Sequence, residues 1–123
     1  MSRIVKAAIV QMANKLHGDE SVAAHRKAMI EAHIPYIEEA GEKGVQMLCF
    51  QEIFTGPYFC PSQDVKWYDA AEAIPDGPTT QLMCEYARKY NMVIVVPIYD
   101  CLLYTSPSPR DFSCNLVWRL VLV

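Results

Sequence analysis

The sequence predicts an α/β fold, because apolar runs typical of buried strands alternate with stretches of helical character. Three runs, residues 4–12, 45–51 and 92–99, are nearly continuous apolar blocks, as in a sheet that is covered on both faces. The resulting order, β-α-β-loop-α-β, requires right-handed crossovers and parallel strands. We therefore expect three parallel strands and a ligand site at their carboxyl ends, where α/β sheets bind ligands.

The segment between the first two apolar runs predicts a long helix. Asp19 or Ser21 is a plausible N-cap, and Gly41 or Gly44 is a plausible end. Pro35 falls inside this helix, where proline removes a hydrogen bond and costs about 3 kcal/mol. We expect either a kink there or two short helices that meet.

A second helix is predicted between the second and third runs. The turn-forming letters PDGP open this segment, and apolar residues then recur at helical spacing. These residues are Leu82, Met83, Tyr86, Ala87 and Tyr90. The pattern indicates a helix of about three turns.

The second apolar run stops on Gln51 and Glu52 and breaks at once into Gly56 and Pro57. A carboxylate where a buried strand meets a loop is either a cap for nearby backbone or half of a catalytic pair. Position alone leaves both interpretations of Glu52 open.

Composition excludes several classes of protein. The chain is 52% hydrophobic and 20% charged, an ordinary globular balance, and its formal net charge of -3 includes no basic stripe for nucleic acid. No apolar segment is long enough to span a membrane, so a cytoplasmic protein is the default expectation. The five cysteines show no CxxC pair, which argues against a disulfide framework or a zinc site. We expect His17, His25 and His33 to be surface or helix-packing residues.

Four segments together resemble the N-terminal part of the nitrilase superfamily of carbon-nitrogen hydrolases, in its N-carbamoyl-β-alanine amidohydrolase (β-ureidopropionase) branch. They read RIVKAAIVQM, EKGVQMLCFQEIFTGPYFC, KWYDAAEAIPDGPTT and ARKYNMVIVVPIYD. The resemblance covers residues 3–100 and is specific as a set. It implies that residues 1–100 are the opening, incomplete portion of an α-β-β-α sandwich, whose second sheet would come from a longer parent protein.

The resemblance also implies a Glu-Lys-Cys catalytic set that hydrolyses an N-carbamoyl amine or amide without a cofactor or metal. Glu52 matches the general base of the family, and Tyr58 is a candidate for contact with the substrate. Homo-oligomers are typical of the family. The Lys and Cys of the set have no match here, since no lysine follows Lys89 and neither Cys101 nor Cys114 lies in the nucleophile motif. We expect the chain as written to be inactive.

The segment 101–123 departs from the α/β pattern and predicts a non-native tail. It contains SPSP, has no helical period and ends in an apolar string. Its first letters, CLLYTSPSPRD, agree at every position with one reading frame of the common transposase-type sequencing adapter. The alternative to a truncated enzyme is a genuine short protein, a non-catalytic pseudoenzyme or interaction module of nitrilase fold.

Overall fold

The computed structural model describes residues 4–99 and the backbone of one further strand. In chain order the elements are strand β1 (Ala7–Val10), helix α1 (Val22–Glu42), strand β2 (Met47–Phe50), 3₁₀ helices at Cys60–Ser62 and Val65–Ala70, helix α2 (Pro78–Tyr90), strand β3 (Val93–Tyr99) and strand β4 (Trp118–Leu122).

Strands β1, β2 and β3 form the predicted parallel sheet, in that order. Ala7 pairs with Met47, and Met47 pairs with Val93, so the three strands start level with one another. Because neighbouring strands are joined through α1 and α2, the predicted α/β arrangement is confirmed. Strand β1 is shorter than the apolar run 4–12 that predicted it.

Helix α1 is a single helix that continues through Pro35, so the prediction of two short helices is wrong. Ser21 is the N-cap, and its hydroxyl accepts a hydrogen bond from the Ala24 N–H at 3.2 Å. The helix ends at Glu42, before Gly44 in the left-handed region at φ 68°. Pro35 lies on the exposed side, while buried residues on the opposite side secure the helix: His25, Met29, His33, Ile37 and Ala40.

Gly41 lies inside α1 rather than at its end, and packing against α2 explains its presence. A β-carbon at this position would lie 2.3 Å from ring atoms of Tyr90. The missing side chain therefore lets the two helices approach each other.

Both helices cover the same face of the sheet. On the three strands the residues that point to the helices are buried, except for the half-buried Ala8, and those between them point away. The hydrophobic core joins this face to both helices and includes Leu48, Phe50 and Ile94 from the sheet and Ile37 and Met83 from the helices.

The opposite face of the sheet is largely uncovered within the described part of the chain. Ile9 is 78% exposed, Met47 42% and Val93 38%. We call these three residues the bare face. The near-continuous apolar runs predict cover on both faces, and the described residues provide it on one.

Strand β4 lies within 101–123, the segment predicted to be a non-native tail. The backbone of β4 pairs antiparallel with β3 from Val95 to Tyr99. An edge strand presents unpaired N–H and C=O groups, and a segment rich in β-forming residues can pair with them. The other residues of 101–123 lie outside the described part of the chain.

Candidate active site

Glu52 lies just after the carboxyl end of β2, with its side chain exposed. The next residue, Ile53, has a φ of 46° and is 2% exposed. A β-branched residue in the left-handed region is strained by about 1–3 kcal/mol. Burial of the Ile53 side chain and a 3.1 Å hydrogen bond from the Gly56 N–H to the Ile53 carbonyl hold this turn. The turn directs the chain away from the sheet and leaves Glu52 at the carboxyl end of β2.

A pocket of about 310 Å³ lies beside Glu52. One wall is the segment after β1, and the other is the segment after β2 together with the following loop. The lining residues are Gln11, Met12, Ala13, Asn14, Gln51, Glu52, Gly56 and Tyr58. The structure therefore brings both sequence-predicted residues, Glu52 and Tyr58, to one pocket at the carboxyl ends of adjacent parallel strands.

Tyr58 is 59% exposed, and its phenol interacts with two neighbours. A side-chain hydrogen bond to Cys60 raises the pKa of Tyr58 above its usual range, and the negative charges of Cys60 and Glu52 raise it further. Since the usual pKa of tyrosine is already about 10, the phenol is protonated at neutral pH and has one O–H to donate. The geometry places a donor and a carboxylate in the same pocket.

Gln51 connects the two walls of the pocket. Its side-chain oxygen accepts a hydrogen bond from the Met12 N–H at 2.5 Å, beyond the last ladder pair, Val10 with Phe50. The sequence shows Gln51 at the end of a strand, but it does not show this partner, because the contact depends on strand register.

A buried carboxylate, Glu72, organises the start of α2, a role that no sequence pattern indicated. Its side-chain oxygens accept hydrogen bonds from the Thr79 N–H at 2.9 Å and the Thr79 hydroxyl at 2.6 Å. Arg26 of α1 forms an ion pair with it at 2.9 Å. Glu72 is thus a structural cap, tied to α1.

The histidines match the sequence prediction. His17 is exposed, whereas His25 and His33 are buried on the inner side of α1. The His33 ring packs edge-on against Phe50 and Phe54, behind the strand end that carries Glu52. Among the described residues, no group of three or more His, Cys, Asp or Glu side chains could hold a metal ion.

A larger groove, of about 710 Å³, lies at the amino ends of the strands. Val5, Met47, Cys84, Arg88 and Val93 are among the residues that line it. It lacks a carboxylate and lies at the end of the sheet opposite Glu52. We therefore assign the candidate chemistry to the smaller pocket, which contains Glu52 and two side-chain amides besides that of Gln51.

The fold and the pocket together define an α/β protein with a carboxylate site at the carboxyl ends of parallel strands. The carbon-nitrogen hydrolase family model matches residues 6–118, which is most of the chain and extends beyond Asp100. The chain belongs to the carbon-nitrogen hydrolase family.

Among curated relatives, a beta-ureidopropionase of Arabidopsis thaliana is 34% identical over 98 residues, which cover 80% of this chain and 24% of that protein. An N-carbamoylputrescine amidase of Solanum lycopersicum is 28% identical, covering 80% of this chain and 30% of the relative. A citrullinase of Francisella tularensis is 26% identical, covering 78% and 31%. The chain thus spans less than a third of the length of these relatives, and it resembles beta-ureidopropionases and carbamoyl amidases in sequence.

No helix in the part of the chain that the structure describes is both long enough and apolar enough to cross a membrane.

Proposed function

We propose that this chain is the N-terminal part of an amidohydrolase that cleaves N-carbamoyl-β-alanine or a related N-carbamoyl amine. The observation that carries the proposal is the position of Glu52, exposed in a pocket at the carboxyl ends of β1 and β2. The similarity to a beta-ureidopropionase and to carbamoyl amidases supports this substrate class.

In the proposed reaction, Glu52 is the general base. It takes the proton of a cysteine thiol, and the resulting thiolate attacks the carbamoyl carbon. A lysine stabilises the negative charge that develops on the carbonyl oxygen. One carbon–nitrogen bond of the ureido group then breaks, its nitrogen leaves with the proton that Glu52 took from the thiol, and the carbonyl carbon stays bound to the cysteine sulfur. Glu52 next activates water, which breaks the carbon–sulfur bond and regenerates the thiol. The carbamate that is released loses carbon dioxide, so the products are an amine, ammonia and carbon dioxide. Tyr58 contributes a hydrogen-bond donor to the bound substrate.

The lysine and the cysteine of this reaction belong to parts of a longer parent protein. We propose that residues 1–100 are native hydrolase sequence and that 101–123 are a non-native tail. The adapter-like letters CLLYTSPSPRD support this division, whereas the family match as far as residue 118 opposes it. On this proposal the chain as written does not turn over substrate, and the parent is a cytoplasmic homo-oligomer that needs no cofactor.

The test begins by resequencing the source DNA with reads that extend past the codon for Asp100. The longer protein is then expressed, and ammonia release from N-carbamoyl-β-alanine is measured. We expect Glu52→Gln to reduce kcat/KM by about 10²–10⁴-fold, the range for loss of a general base. Glu39→Gln is the matched control, because Glu39 is exposed on α1 and pairs with Lys43 away from the pocket.

Two outcomes would contradict the proposal. Full activity in Glu52→Gln would show that Glu52 is not the general base. If the native transcript contains the codons for residues 101–123 followed by a stop codon, the chain is instead favoured to be an interaction module. The bare face supplies an exposed apolar surface for such a role.

A further inference from the structure

Two glutamines flank β2 and make the same kind of contact at opposite ends. At the amino end, the Gln46 side-chain oxygen accepts a hydrogen bond from the Lys6 N–H at 3.1 Å. At the carboxyl end, the Gln51 oxygen accepts one from the Met12 N–H at 2.5 Å. Each glutamine thereby joins β2 to a residue that lies just outside β1.

The two contacts differ in their surroundings. Gln51 and Met12 both line the pocket that contains Glu52, whereas Gln46 lines the groove at the other end of the sheet. The contact made by Gln51 therefore fixes the separation of the two pocket walls.

A glutamine amide has both an acceptor oxygen and a nitrogen with two N–H donors. In Gln51 the oxygen is held at the β1 wall, and no hydrogen bond from its nitrogen is formed within residues 4–99. The side chain lines the pocket, so these donors remain for a bound molecule. The carbonyl oxygen of a ureido or amide group is an acceptor for such N–H donors.

We propose that Gln51 is a dual-purpose residue of this pocket, positioning its two walls through its oxygen and binding the carbonyl of a ureido or amide group through its nitrogen. The second role rests on the proposed function, because it names the group of the substrate that Gln51 recognises.

Variants of the 123-residue chain separate the two roles. Gln51→Glu keeps an acceptor for the Met12 N–H but has no donor at neutral pH. Gln51→Leu has neither. Gln46→Leu is the matched control, since it removes the equivalent contact far from the pocket.

Two measurements that need only micromolar protein read out these variants. Residue-resolved hydrogen exchange reports protection of the Met12 and Lys6 amides. Saturation-transfer NMR reports the Kd of ethylurea, an uncharged N-carbamoyl amine that forms no ion pair with the carboxylate of Gln51→Glu.

We expect Gln51→Glu to keep Met12 protected and to weaken ethylurea binding roughly three- to tenfold, as the loss of a hydrogen bond does. Gln51→Leu loses both protection and binding, and Gln46→Leu speeds exchange at Lys6 alone. If Gln51→Leu fails to fold, the smaller Gln51→Ala, which also lacks both groups, replaces it in the exchange measurement, and Gln51→Glu still decides the recognition role.

The inference is overturned in either of two ways. Unchanged Met12 exchange in Gln51→Leu removes the positioning role. Ethylurea binding that is equal in wild type and Gln51→Glu, or absent in wild type, removes the recognition role. Failure of the proposed function is a separate result, namely no ammonia release by the longer protein.

Discussion

The two faces of the sheet are built from alternate residues of the same strands, yet one face is covered by helices and the other is largely exposed at the amino ends of β2 and β3 and on β1. On β2, Leu48 is fully buried under the helices, while its neighbour Met47 is 42% exposed. On β3, Ile94 is likewise fully buried, while its neighbour Val93 is 38% exposed. Residues on the bare face are as apolar as those in the core, so the difference lies in what covers them. Stability of the described fold should therefore come mainly from one face.

The largest effect on stability is expected when substitutions at two neighbouring residues of β2 are compared. Leu48→Ala should lower the free energy of unfolding by about 2–5 kcal/mol, because it removes buried methyl groups and leaves a cavity. Met47→Ala should cost less than about 1 kcal/mol, because Met47 already contacts solvent. Urea denaturation measures both. Equal losses would show that the bare face is covered in solution.

A smaller effect is the pH dependence of stability that comes from His33, on the covered side of the sheet. Burial lowers the pKa of His33 below its usual 6.5, and the positive charge of Lys15 lowers it further, against the opposing effect of the hydrogen bond with the Met29 carbonyl. Between the lowered pKa and 6.5, the unfolded chain binds more protons than the folded chain. Stability should thus fall as pH decreases below 6.5, by up to about 1.4 kcal/mol per pH unit.

Denaturation midpoints between pH 5 and pH 7 test this prediction in His33→Phe, which should show a smaller decrease than wild type. The control is His17→Gln, whose exposed side chain should leave the decrease unchanged. An identical pH profile in His33→Phe and wild type would rule out His33 as the titrating group.

The smallest effect on stability is expected on the bare face of β1. Ile9→Lys should change the free energy of unfolding by less than about 0.5 kcal/mol, because Ile9 is 78% exposed. It should also reduce self-association in sedimentation velocity, because a charge on an edge strand opposes contact with a second chain. In contrast, Val10→Lys should unfold the protein, because it places a charge in the core. Stronger association of Ile9→Lys than of wild type would contradict this view of the bare face.

Much of the fold was predictable because its signals are local. Apolar runs indicated β1, β2 and β3, and Ser21 and Gly44 correctly marked the limits of α1. The continuity of α1 through Pro35 was not predictable, since it depends on burial of the opposite side of the helix. Pairing of β4 with β3 is likewise a tertiary event, decided by a free edge rather than by the local pattern.

The candidate site shows the same division between local and tertiary information. The place of Glu52 after an apolar run made it one candidate with two interpretations, and the resemblance indicated the role of general base. Tyr58 came from the resemblance alone. The contacts of Gln51 with Met12 and of Glu72 with Arg26 join residues that are far apart in sequence, so no local pattern contains them. The strained turn at Ile53 was equally hidden, because isoleucine is not a residue that favours a positive φ.

The ion pair between Glu72 and Arg26 has a consequence for the order of folding. The first turn of α2 has its N–H group at Thr79 satisfied by Glu72, and the charge of Glu72 is balanced by a residue of α1. Without α1, the carboxylate that caps this turn lacks its ion-pair partner. During synthesis α1 precedes α2, so a docked α1 would be in place to receive it, and the two helices should form as one cooperative unit.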